Sequence, residues 1–190
     1  PHPRVSYHRE PAEHVSLASL PGLAERTVVL DGFSKTYAMT GWRLGYAIVP
    51  EWLVPAFGAL VINSVSCVSM HGQVAAVEAL TGPQDAVDAM VEEFRVRRDL
   101  VVEGLGAIPG IRCHRPTGAF YVFPDVSGTG LDGDAFADRL LHEAGVCVLA
   151  GTAFGRVGHG HVRISYANSR PNLALALERI GAFVAGLGAP

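Results

Sequence analysis

The residues best equipped for chemistry lie in one short stretch, DGFSKTYAMTGWRLGY, running from Asp31 to Tyr46. Of the fifteen Lys and Arg residues, fourteen are Arg and one is Lys35. Ser34 precedes that lysine, and Arg43 follows it after a turn containing Gly41. Gly32 and Gly45 flank the group and allow close backbone approach or positive φ. An amine beside a hydroxyl and a guanidinium suits a phosphorylated carbonyl compound. Arginine grips phosphate through two parallel charge-assisted hydrogen bonds. A free amine condenses with a carbonyl to give a Schiff base. The apolar run Thr27-Val28-Val29-Leu30 just before it reads as a strand, and open α/β sheets bind ligands at strand ends. A solvated loop lysine is the plainer reading, and the clustering argues against it.

GFSKTYAMTGWRLG resembles the pyridoxal-phosphate attachment signature of the class I and II aminotransferases, the fold-type I enzymes of that cofactor. Three further stretches, PTGAFYVF (Pro116–Phe123), GVCVLAGTAFG (Gly145–Gly155) and GHVRISYANS (Gly160–Ser169), are similar in order and spacing to the C-terminal half of those enzymes. The look is nearest to the bacterial aspartate/aromatic branch. The resemblance implies an α/β fold of the pyridoxal-phosphate-dependent transferase type: the end of a large-domain parallel or mixed sheet, then a small α+β C-terminal domain. It implies that residues 1–82 belong to the large domain and 83–190 to the small one, with a long helix linking them. It gives Lys35 the internal aldimine with pyridoxal 5'-phosphate and the proton transfer at the substrate Cα. It gives Arg43 the cofactor phosphate, with Ser34 assisting, while Gly32 stands where many relatives carry a serine. It gives Arg163 the α-carboxylate of the amino acid.

The activity so implied moves an amino group between an L-amino acid and a 2-oxo acid in a cytoplasmic homodimer. The alternatives are a β-lyase, decarboxylase or synthase of the same fold, or the effector module of a transcription regulator. The family also needs a carboxylate for the pyridine nitrogen and a neighbouring tyrosine, which would fall at or before Pro1. The expectation is therefore a C-terminal half that does not catalyse alone. Which amino acid would be the substrate is not legible.

The chain has 190 residues, 49% of them hydrophobic and 17% charged, with net charge −3 and mean hydropathy +0.27. That is apolar for a water-exposed surface and predicts a covering partner. No basic patch suggests nucleic acid. Cys67, Cys113 and Cys147 are widely spaced, without a disulfide or zinc pattern. Trp52 to Met70 is uncharged, but Pro55, Gly58, Asn63 and several serines break it up, against a membrane span. The opening PHPRVSYHREPAEH is polar, without the apolar core of a signal peptide, and reads as a surface connection.

Strands are expected at Arg26–Asp31, buried on both faces, and at Arg43–Val49. Helices are expected from Pro50 to about Leu60, from His71 to Leu80, and from about Gln84 to Leu105. In the last of these, acids precede arginines and Glu93–Arg97 has the favourable i,i+4 order. Short strands follow at IRCH, AFYVF, VCVL and HVRISYA, with helices at about Gly133–Glu143 and Pro171–Val184. His159 and His161 lack a third ligand nearby and are not read as a metal site. The glycine-rich GTAFGRVGHGH is expected to be a mobile loop before the Arg163 strand, Tyr37 and Trp42 to be packing residues, and Asn63–Ser69 to be a turn near a neighbouring subunit.

Overall fold

The computed structural model describes residues 15–188, and the polar opening segment lies outside them. The described chain mixes helix and sheet and divides into two compact units, residues 15–89 and 90–188. The long helix α4 (Asp85–Gly106) begins in the first and continues in the second.

In the first unit, β1 (Val29–Gly32) leads directly into the one-turn helix α1 (Phe33–Thr36). A tight turn at Thr40–Trp42 returns the chain to β2 (Gly45–Ile48). The strands pair antiparallel, with Asp31 opposite Tyr46 and Gly32 opposite Gly45. Helices α2 (Val54–Val65) and α3 (Met70–Thr81) follow, α2 carrying Pro55 in its first turn where no amide partner is lost. Phe33, Met39 and Leu44 form a small core, against which Tyr37, Val68 and alanines of α3 pack. Gly72 is fitted to it, since a Cβ there would meet Leu44 Cδ2 at 2.9 Å.

Several expectations change here. β1 is shorter than Arg26–Asp31 and is not buried on both faces: Leu30 is 71% exposed, no layer among the described residues covering its side of the ribbon. Arg43 lies outside the second strand, in the left-handed region at φ 55°, ψ 48°. Asn63 and Ser64 are not in a turn but close the last turn of α2, bonding back to the carbonyls of Ala59 and Leu60. Trp42 is more exposed than a packing residue, at 53%, and lines a recess with Ala38, Gly41, Ser69, His71 and Gly72. No helix among the described residues is long and apolar enough to cross a membrane.

The second unit is a three-stranded antiparallel sheet with helices packed on one face. The strand order is β3 (Tyr121–Val122), β5 (Val162–Ser165), β4 (Leu149–Ala150). Single bridges from Asp125 to Arg112 and to His161 extend it. IRCH thus contributes one paired residue rather than a strand. Helix α5 (Gly133–Ala144) is capped by Asp132, which accepts from Ala135 N, and stopped by Gly145 at φ 67°. Helix α6 (Arg170–Gly186) is capped by Ser169. Val101 and Leu105 of α4, Phe136 and Leu140 of α5, and Ile180 and Phe183 of α6 pack against Val122, Val162 and Tyr166. Glu93 on α4 accepts from Arg97 Nε at 2.7 Å and from Arg170 at the start of α6, joining the two helices.

Candidate active site

Local pairing sets the geometry around Lys35. β1 ends at Gly32, α1 carries Ser34 and Lys35 on its single turn, and β2 begins at Gly45. Because Gly32 faces Gly45, Lys35 and Arg43 each lie within three residues of one strand pair. Phe33 N donates to Leu44 O at 3.3 Å and ties the lysine segment to the arginine segment. The buried Phe33 and Leu44 anchor both from below. Lys35 and Arg43 are exposed and Ser34 is half-buried. Arg43 Nη1 donates to Thr40 O at 3.1 Å, one of the five donors a guanidinium owns. The structure thus gathers Ser34, Lys35 and Arg43 at one end of a two-stranded ribbon.

An acid that the motif reading passed over sits behind them. Asp31 accepts from Gly32 N at 2.7 Å and from Tyr46 Oη at 3.3 Å across the ribbon. Burial and then the Asp31 carboxylate push the Tyr46 phenol above its ordinary range. The pair pins the register one step before Gly32–Gly45. Both residues stand in the motif stretch, but only the register makes them neighbours.

Arg163 belongs to the second unit. On β5, Val162 points into the core, so Arg163 takes the other face of the sheet. It is half-buried there, with its guanidinium carbon 4.4 Å from the centre of the Tyr121 ring and 4.6 Å from that of Phe154. Among the described residues no carboxylate pairs with it. A strand arginine neutralised by a surface acid is therefore not what is found. The aromatic neighbours were not foreseen. The alternation in AFYVF, which puts Tyr121 and Phe123 on one face, was the available signal for one of them.

The expected mobile loop before Arg163 has a defined course. It forms two tight turns, Gly151–Phe154 and Arg156–Gly158. Gly151 N donates to His161 O, and Thr152 Oγ1 to Asp134 Oδ1, both at 2.8 Å. Gly151 and Gly158 touch backbone to backbone: a Cβ on Gly151 would come within 2.2 Å of Gly158 O.

Residues 7–180 match the model of aminotransferase class I and II. The chain belongs to the class I and II aminotransferase family. It is 45% identical over 158 residues to the aspartate aminotransferase of Pyrococcus horikoshii, covering 82% of this chain and 40% of that protein. It is equally close, 45% over 175 residues, to the arginine–pyruvate transaminase of Pseudomonas aeruginosa, covering 92% of this chain and 44% of that protein. The solved aromatic aminotransferase of Pyrococcus horikoshii superposes with TM-score 0.90 at 40% identity, covering 97% of this chain and 49% of that one. The chain thus spans less than half the length of the relatives it matches.

Members of this aminotransferase family use pyridoxal 5'-phosphate, and the first unit carries group types that suit its aldehyde and its phosphate. An exposed amine and an exposed guanidinium with donors to spare stand beside one hydroxyl. Gly32 is not sterically required, since an added Cβ would reach only ordinary contact, 3.4 Å from Leu44 O.

Proposed function

We propose that this chain carries the lysine- and arginine-bearing half of a pyridoxal-phosphate-dependent aminotransferase, which moves an amino group between an L-amino acid and a 2-oxo acid. The observation that carries the reading is the β1–β2 ribbon that gathers Ser34, Lys35 and Arg43 at one end. When bound, the cofactor supplies a carbonyl that takes up amines and a ring that withdraws electrons from the substrate Cα. Arg43 holds the phosphate by charge-assisted hydrogen bonds, with the Ser34 hydroxyl adding one. Lys35 Nζ tethers the cofactor and then holds and moves the proton at the substrate Cα. Arg163 grips the α-carboxylate edge-on and so orients the Cα–H bond. The domain reading is proposed with it: residues 1–82 from the large domain and 83–190 from the small one.

A homodimer working in the cytoplasm is part of the reading. Its support is the apolar surface of the first unit: Leu60, Ile62, Val65, Met70, Val74 and Val77 are all exposed on α2 and α3. The relatives' names span aspartate, aromatic and arginine substrates at like identity, and so select no side chain. The test is product analysis on the full-length protein with pyridoxal phosphate and 2-oxoglutarate. Glutamate should form, and Lys35→Ala should lower kcat by at least about a hundredfold. Release of ammonia or carbon dioxide without glutamate would refute transamination.

A further inference from the structure

We propose that Phe154, together with Tyr121, is a positioning residue that turns Arg163 into an edge-on slot selective for planar carboxylates over tetrahedral oxyanions. The proposal rests on the reading that Arg163 takes the substrate carboxylate. It starts from the two rings at 4.4 and 4.6 Å from the guanidinium carbon. Tyr121 and Phe154 make no ring contact with each other among the described residues, so they approach the guanidinium from different sides. All N–H donors of a guanidinium lie in its plane. Rings this close to the guanidinium carbon crowd approach from outside its plane and favour a ligand that meets those edges, and among the described residues no hydrogen bond or ion pair occupies them. A carboxylate meets such an edge with both oxygens in plane. A phosphonate or sulfonate meets it with a third oxygen out of plane, toward a ring.

Phe154 is held for this task although it is 51% exposed. Phe123 meets it edge-on, 5.9 Å between centres at 84°, and Phe123 itself stacks on His161 at 5.2 Å and 15°. The pairing of β3 with β5 continues to the Asp125–His161 bridge and sets Tyr121, Phe123, His161 and Arg163 on the same sheet face. The turn that carries Phe154 ends at Gly155, whose φ of 115° few other residues adopt. A row of rings from His161 to Phe154 therefore braces one wall of the slot. Tyr121, fixed within the sheet, forms the other.

The experiment uses the full-length holoenzyme and the variants Phe154→Ala, Phe154→Leu, Phe154→Tyr and Arg163→Ala. It reads kcat and KM for the amino donor, and competitive inhibition by propionate against ethylphosphonate. Removing the ring in Phe154→Ala or Phe154→Leu should raise KM about three- to thirtyfold, the range of a cation–π contact. It should move kcat much less and narrow the preference for propionate. Phe154→Tyr, which keeps the ring, should restore both. If Arg163→Ala raises KM while the two ring-less variants keep wild-type KM and preference, the slot is refuted and the carboxylate grip stands. If Arg163→Ala leaves KM unchanged, the grip itself is refuted and the slot with it.

Discussion

Arg43 owes its place to a backbone state that side chains rarely take. At φ 55° and ψ 48° it ends the Thr40–Trp42 turn two residues before β2, a backbone state that glycine would adopt more cheaply. An arginine kept at such a position argues that the guanidinium is needed there. Arg43→Lys keeps the charge but not the planar fork, and should weaken pyridoxal-phosphate retention by about tenfold or more, read by equilibrium dialysis. Glu93 gives a prediction for pH. Hydrogen bonds from Arg170 first and Arg97 second pull its carboxyl from the usual 4.5 down to about 2. A depressed carboxyl stabilises the fold above its unfolded value and loses that contribution as pH falls toward the folded one. The melting-temperature advantage of the wild type over Glu93→Gln should therefore hold at neutral pH and shrink between pH 4.5 and about 2. A constant difference across that window would contradict the ion pair.

At the scale of elements, α3 to α6 were legible to within a few residues, whereas α1 was not expected, α2 runs past its expected end, and the strands were only partly legible. Capping residues Asp132 and Ser169, the stop at Gly145 and the acid-before-base order of α4 mark helix ends that depend on local chemistry. Strands depend on partners that local sequence does not name. Of VCVL only Leu149 pairs, in a strand that runs on to Ala150, and the ribbon begins only at Val29, because pairing stops where a neighbour does. The site divided in the same way. Lys35 and Arg43 are read from one contiguous motif, whereas the rings at Arg163 come from Tyr121 and from Phe154, brought together by the fold. The Gly151–Gly158 clasp is another tertiary feature. Gly151→Ala drives a Cβ into Gly158 O and should shift the Phe154 turn, raising KM and lowering the melting temperature together. Tyr166 lies at 0% exposure with its hydroxyl donating to Ala119 O at 2.9 Å. Tyr166→Phe removes that hydrogen bond and should cost about 0.5–1.5 kcal/mol in denaturant unfolding.

At the scale of the whole chain, the apolar excess of the sequence has a location. The second unit buries a continuous core, while α2 of the first contains no buried residue. A surface of that kind calls for a cover, and the relatives the chain matches are about twice its length or more. Light scattering on the full-length protein should return twice the monomer mass. The central claim is narrower and rests on one atom, Lys35 Nζ. The most direct measurement is borohydride reduction of the full-length protein after incubation with pyridoxal phosphate, followed by peptide mapping. The account predicts one pyridoxyl adduct, on the peptide containing Gly32-Phe33-Ser34-Lys35, and none in Lys35→Ala. No adduct on that peptide in the wild type, despite retained cofactor, would contradict it.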